Sequence, residues 1–129
     1  MGRPRTADLS AIPASVGLAR DLLHTWLRGH PCAEEAVQLA SETVTNAVRH
    51  GSPADGSGVV RLAARWTSGR VYVAVTDDGA GGTAPTVRTP ILNAVSGRGL
   101  LLVDAIASRW GFARVDHGRR RVWFELVAR

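Results

Sequence analysis

The sequence lacks lysine entirely: all 16 of its basic residues are arginines, set against 11 acidic residues, and the formal net charge is +5. Such an excess favours an anionic partner, for example nucleic acid, a membrane surface or a phosphorylated small molecule. Because exclusive use of arginine is equally typical of a GC-rich genome, the charge alone does not indicate direct nucleic-acid binding, and we expect none.

Cysteine is almost absent, and so are long apolar segments. The single cysteine, Cys32, excludes an internal disulfide and a cysteine-rich zinc site, and is typical of a reducing cytoplasm. No apolar run approaches the length needed to cross a bilayer, and no signal-peptide core stands near the N-terminus. We therefore expect a soluble cytoplasmic protein with no membrane partner.

The composition that remains suits one folded domain. The chain has 129 residues, of which 45% are hydrophobic and 21% charged, close to ordinary globular usage. Residues 1–13 mix Arg, Pro, Thr and Ser without periodicity, which predicts a flexible N-terminal arm. Residues 14–129 are then expected to form a single domain.

Hydrophobic periodicity predicts three helices and two hairpins. In chain order we expect a helix from Ala14 to about Gly29 with Ser15 as N-cap, a helix over 31–50, strands over 60–66 and 71–76, a loop over 79–96, a helix over 99–110, and strands over 112–116 and 122–127. This order predicts an α+β two-layer sandwich, with helices on one face of a mixed, mainly antiparallel sheet.

The second predicted helix carries a polar face. Glu42, Asn46 and His50 follow one another at intervals of four residues, which places them on one side of the helix. A carboxylate and a carboxamide one turn apart suit an oxygen-liganded Mg²⁺ site or a general-base site. The alternative is an ordinary solvated face.

Asp77 ends the second predicted strand. By strand parity its carboxylate points toward the interior, directly before the glycine-rich turn over 79–82, whereas Asp78 points outward. A buried carboxylate needs hydrogen-bond donors, and the amino group of a ligand could supply one. Alternatively, the aspartate opens a tight turn by bonding its own backbone.

Two glycines flank an arginine directly before the third predicted helix, in the segment SGRGL over residues 96–100. Backbone N–H groups at a helix start form a natural phosphate site, and glycine permits close approach. Arg98 could add a charge-assisted contact. A plain helix start is the alternative.

Together the three segments resemble the N, G1 and G2 boxes of the GHKL ATPase superfamily, in order and approximate spacing. SETVTNAVRHG (41–51), VTDDGAGG (75–82) and GRGLLLVDAIASRWG (97–111) are most similar to bacterial anti-sigma-factor serine/threonine kinases and their actinobacterial relatives. The resemblance covers about residues 14–127. It implies a Bergerat-type ATP-binding fold, with ATP and Mg²⁺ as ligands.

The resemblance also implies a role for each matching residue. Asn46 would hold the Mg²⁺, Glu42 would act as general base toward a protein hydroxyl or a water, and Asp77 would bind the adenine amino group. Residues 82–96 would form a lid. The remaining nucleotide-binding positions, close to the base or the phosphates, would be His50, Gly79, Gly81, Gly97, Arg98, Gly99 and Leu100.

One departure from the family pattern lies beside the adenine position. The family often has a small hydroxyl residue just before the last apolar strand, whereas this chain has the three arginines of residues 119–121 before Val122. Water-mediated binding of the adenine is therefore in doubt.

The resemblance leaves two functions open. One is an ATP-dependent kinase that phosphorylates a Ser or Thr of an anti-sigma-factor antagonist. The other is a non-catalytic ATP-binding module that sequesters a sigma factor or another regulator.

Related kinases tend to be homodimers, and the resemblance therefore implies a homodimer. The broad apolar stripe of the first helix, which includes Trp26, could form the contact between the two copies. Alternatively, that stripe packs on its own sheet.

Overall fold

The computed structural model describes residues 3–53, 55–79, 103 and 106–129. Within these ranges the bounded elements are β1 (Arg5–Ser10), α1 (Ala14–Trp26), α2 (Ala33–His50), β2 (Val59–Thr67), β3 (Arg70–Asp77), β4 (Arg109–Arg114), a 3-10 turn (Asp116–Gly118) and β5 (Arg120–Val127). Val103 and Ile106 are also helical, which agrees with the third predicted helix at these two positions.

The described strands form one sheet in the order β1-β2-β3-β5-β4, and every neighbouring pair is antiparallel. Helix α2 packs across β3 and also contacts β2 and β5, while α1 packs against α2 and β1. The expected α+β architecture is confirmed. The pairing of β3 with β5 has one consequence for the site, because it sets Asp77 directly opposite Arg120.

Strand parity determines which side chains enter the core. Val71, Val73 and Val75 of β3 face the helices and are 0–2% exposed. Phe124 of β5 lies opposite Val73 and is fully buried. Because Asp77 continues this series, its carboxylate points into the same layer as the valines.

The predicted N-terminal arm is corrected at residues 5–10, which form the edge strand β1. Its backbone pairs with β2 from Val59 to Ala64. Leu9 packs against the core, and the carboxylate of Asp8 binds the Arg61 guanidinium through two contacts of 2.7 and 3.1 Å. An edge strand with one half-buried face and few apolar residues has little periodicity, so the sequence carried only a weak signal for it.

Two predicted helix starts are also corrected. Pro13 occupies the N-cap position of α1, and Ser15 is buried in the first turn, where its N–H donates to the carbonyl of Ile12 at 3.0 Å. Helix α2 begins at Ala33, two residues later than expected, with Cys32 as its N-cap.

The third predicted helix extends too far at its C-terminal end. Trp110 belongs to β4, which begins at Arg109. The chain joins the sheet already at Ser108, whose N–H donates to the carbonyl of Glu125 at 2.8 Å. Backbone hydrogen bonds of the sheet therefore take the place of those expected for the last turn of the predicted helix. The other residues of 99–105 and the predicted loop after Gly79 lie outside the described residues, except Val103.

No helix within the described ranges is both long enough and apolar enough to span a membrane.

Candidate functional site

Helix α2 carries the three predicted polar residues, and Asn46, the middle one of the series, is the most buried. Asn46 is 8% exposed, Glu42 is half-buried, and His50 is exposed at the last helical position. Nothing in the described part of the chain donates a hydrogen bond to the buried Oδ1 of Asn46. A buried polar atom without a partner is costly, so this oxygen is suited to a ligand that supplies the missing interaction.

The residues around Asn46 fit a Mg²⁺ ion that is shared with phosphate. The ion prefers oxygen ligands and is commonly bound by one or two protein oxygens together with substrate phosphates and water. The described residues contain no cluster of three or more His, Cys, Asp or Glu side chains that could hold a metal without such help. Asn46 is therefore the candidate protein ligand, with phosphate oxygens as the expected complement.

Asp77 lies at the end of β3 with its side chain directed inward, as strand parity predicts, and it is 4% exposed. Its Oδ1 accepts the N–H of Gly79 at 2.8 Å. The aspartate thus opens the following turn by bonding its own backbone, which is the alternative that the sequence left open. Asp78 is exposed, as expected, and accepts the N–H of Val59 at 2.9 Å.

Arg120 forms a bidentate ion pair with Asp77. Its Nε donates to Oδ1 at 3.0 Å and its Nη2 donates to Oδ2 at 3.1 Å. Both side chains are buried, at 7% exposed for the arginine and 5% for the aspartate. Burial raises the pKa of the Asp77 carboxyl above its ordinary value, and the hydrogen bonds and charge of Arg120 only partly oppose that rise.

The two arginines that flank Arg120 point elsewhere. Arg119 binds the carboxylate of Asp116 at 3.0 Å, and Arg121 reaches the hydroxyl of Thr76 at 3.3 Å. Arg120 was missed as a site residue, although its parity with Val122 and Phe124 could have placed it on the inner face. Arg120 lies opposite Asp77 because β3 pairs with β5, and no local sequence signal indicates that pairing.

Gly51 joins the end of α2 to this ion pair. A Cβ at this glycine would overlap the Asp77 carboxylate and lie 2.6 Å from Nη2 of Arg120. The sequence indicates only that Gly51 ends a helix, whereas the structure shows that its missing side chain admits the buried pair. The helix that carries Asn46 therefore ends directly against Asp77.

Gly79 lies close to the backbone of Gly118. It has φ of +72°, and a Cβ there would overlap the carbonyl oxygen of Gly118. That oxygen also accepts a hydrogen bond from Nη1 of Arg114 at 3.0 Å. The start of the glycine-rich segment is thus held against the 3-10 turn that precedes β5.

The other predicted phosphate-binding and nucleotide-binding residues, which are Gly81, Gly97, Arg98, Gly99 and Leu100, lie outside the described residues. The described part of the site consists of the C-terminal half of α2, the end of β3 and the start of β5.

A family model described as the histidine kinase-like ATPase domain matches residues 9–125 of the chain. No curated protein sequence gives a significant match.

Two solved structures show the same fold. The histidine kinase domain of the Erythrobacter litoralis EL346 blue-light-activated histidine kinase has a TM-score of 0.57 and 22% identity, over 92% of this chain and 61% of that one. The Acinetobacter baumannii histidine kinase AdeS has a TM-score of 0.52 and 12% identity, over 98% of this chain and 68% of that one. This chain thus spans about two thirds of the length of each.

We expect Gly51→Ala to lower the free energy of unfolding by about 1–3 kcal/mol, the usual cost of overpacking a filled site. The added methyl group overlaps the buried Asp77 carboxylate, which Arg120 and the N–H of Gly79 already hold in place. Gly69→Ala is the matched control, because an added Cβ there meets nothing within 4 Å. Chemical denaturation of both variants checks this, and equal stabilities would show that Gly51 does not confine the ion pair.

Proposed function

Because the chain belongs to the histidine kinase-like ATPase domain family, we propose that it is an ATP-dependent protein serine/threonine kinase that phosphorylates an anti-sigma-factor antagonist. ATP is the ligand that the family implies. The observation that carries the proposal is the buried oxygen of Asn46, for which the described residues offer no donor, on the same helix as Glu42 and one turn away from it.

The proposed mechanism assigns one role to Asn46 and another to Glu42. Asn46 would hold Mg²⁺ through Oδ1, and the ion would supply positive charge beside the phosphates. Glu42 is half-buried, so its carboxylate is within reach of solvent or of a partner's hydroxyl. It accepts the proton of the attacking Ser or Thr hydroxyl while that oxygen bonds to the γ-phosphorus, and the bond to the bridging oxygen of ADP breaks.

The base of the nucleotide is proposed to lie at Asp77. Its carboxylate can accept a hydrogen bond from the adenine amino group, and its burial makes that bond selective, because an unsatisfied buried partner is costly. Gly97, Arg98 and Gly99 are proposed to bind the phosphates, with Gly81 and Leu100 nearby, on the strength of the sequence motif.

The protein partner is proposed from the resemblance to anti-sigma-factor kinases, as an anti-sigma-factor antagonist, a sigma factor, or both in turn. If Glu42 transfers no phosphate, the same site serves a non-catalytic module that sequesters such a regulator. The variants described below separate these two functions.

A homodimer through the N-terminal region is the proposed assembly. β1 lies at one end of the described sheet order, where the outer edge of a strand offers backbone groups for pairing. Leu18 of α1 is 54% exposed and Ile12 is 40% exposed. Trp26, in contrast, packs against the core of its own chain, so the contact is proposed to centre on Leu18.

We expect Mg²⁺-dependent binding of ATP and ADP in preference to GTP, and severe weakening by Asp77→Asn. The amide has a different charge and presents a different donor set to the base. Isothermal titration calorimetry measures both effects, with circular dichroism to verify that the variant is folded. GTP that binds as tightly as ATP, or unchanged binding by the folded variant, would show that the pocket is wrongly assigned.

We expect Glu42→Ala to retain nucleotide but to lose phosphoryl transfer by a factor of about 10²–10⁴, as typical for a general base. Asn46→Ala should also weaken Mg²⁺-dependent ATP binding. Labelled ATP incubated with candidate antagonist proteins distinguishes transfer, hydrolysis and simple binding. Full transfer activity in Glu42→Ala would remove the general-base assignment, and no transfer by the native protein to any candidate would favour the binding module.

We expect light scattering at micromolar concentration to give a dimer mass for the native chain and a monomer mass for Leu18→Glu, because the charge would be buried in the contact. Val127→Glu is the control, since Val127 is also exposed, at 42%, but lies at the end of β5. A monomer mass for the native chain would contradict the proposed assembly.

A further inference from the structure

The carboxylate that the proposed function assigns to adenine already has hydrogen-bond donors. Oδ1 of Asp77 accepts two bonds, from Nε of Arg120 at 3.0 Å and from the N–H of Gly79 at 2.8 Å. A carboxylate oxygen has two lone-pair sites, so both sites of Oδ1 are in use.

Packing against Gly51 restricts access to the second oxygen on one side. Oδ2 accepts one bond from Nη2 of Arg120 at 3.1 Å, and the backbone of Gly51 lies so close that even a single added carbon would overlap it. An incoming adenine amino group therefore has to compete with the donors that already bind the Asp77 carboxylate.

Arg120 is the donor that can be replaced. The N–H of Gly79 belongs to a backbone position fixed by its positive φ and by its contact with the carbonyl of Gly118. Arg120 is held by a side chain with several rotatable bonds, at the first residue of β5.

We propose that Arg120 is a latch in the nucleotide pocket, which competes with adenine for Asp77 and so determines both the affinity for ATP and the selectivity for the base. This inference rests on the proposed function, because it takes Asp77 as the adenine contact. The nucleotide binds when the guanidinium leaves the carboxylate and the adenine amino group takes its place.

The latch lowers affinity by a simple population effect. Only the fraction of molecules with the pair open can receive the base, and the apparent dissociation constant rises by the inverse of that fraction. The open state is disfavoured because it exposes a buried carboxylate without its cation. A pair that is closed in about nine molecules of ten would lower the apparent affinity about tenfold.

The same geometry predicts an effect on base selectivity. Hypoxanthine has an oxygen where adenine has the amino group, so it cannot donate to Asp77 from that position, but the oxygen can accept a hydrogen bond from Arg120. Arg120 thus lowers the binding affinity for ATP but not the affinity for inosine triphosphate (ITP). Without it, the negative carboxylate faces the oxygen of hypoxanthine directly, and discrimination in favour of ATP increases.

The test is the matched pair Arg120→Thr and Arg121→Thr, two identical changes at adjacent positions of β5. Arg121 contacts the Thr76 hydroxyl on the other face of the sheet, so it controls for charge and strand propensity. Isothermal titration calorimetry of the full chain with Mg²⁺-ATP and Mg²⁺-ITP gives the affinities, and circular dichroism verifies folding.

We expect Arg120→Thr to bind ATP about tenfold more tightly than the native protein, with no gain for ITP, whereas Arg121→Thr matches the native protein. Arg120→Lys retains the charge but loses the bidentate geometry, so an intermediate gain of about threefold is expected. This second variant gives the decisive measurement if the threonine variant does not fold.

Unchanged or weaker ATP binding by a folded Arg120 variant would contradict the proposed latch but not the proposed nucleotide site. An equal gain for ATP and ITP would overturn the competition for Asp77. If neither the native protein nor any Arg120 variant binds ATP, the proposed function fails as well, so the two failures are distinguishable.

Discussion

A buried carboxylate needs a partner, and in this protein that requirement joins three separate segments of the chain. Asp77 ends β3, Arg120 begins β5, and Gly51 closes α2, and all three meet at one ion pair. Removing one partner of such a pair by mutation leaves the other charge uncompensated in a low-dielectric environment, which destabilises the fold. The pair therefore constrains the sheet register, the end of the helix and the start of the glycine-rich segment together.

The same constraint accounts for the arrangement of the candidate site. Because α2 ends directly against Asp77, the end of the helix brings Asn46 into the buried layer, with an oxygen to which no residue of the described ranges donates. Among the described residues, the carboxylate of Asp77 has three hydrogen-bond donors and Oδ1 of Asn46 has none, so the two ends of the site differ. In the proposed function the carboxamide faces the metal and the phosphates, and the carboxylate becomes available to the base only through rearrangement of Arg120.

Local sequence rules predicted much of this arrangement. Alternation fixed the inward direction of Asp77, and helical spacing fixed the common face of Glu42 and Asn46, since both depend only on the geometry of single elements. The pairing of β3 with β5 depends on tertiary structure, so neither the opposition of Arg120 to Asp77 nor the packing role of Gly51 was predicted. Strand β1 was missed for the same reason, because its pairing with β2 rather than its own composition stabilises it.

The central claim is that the nucleotide binds between Asn46 and Asp77, with Arg120 displaced from the carboxylate. A crystal structure of the chain with Mg²⁺ and a non-hydrolysable ATP analogue tests it most directly. The account predicts the adenine amino nitrogen about 3 Å from an Asp77 oxygen, Asn46 Oδ1 about 2.1 Å from the metal, and the Arg120 guanidinium away from both carboxylate oxygens. An analogue bound elsewhere, with the Asp77–Arg120 pair intact, would contradict it.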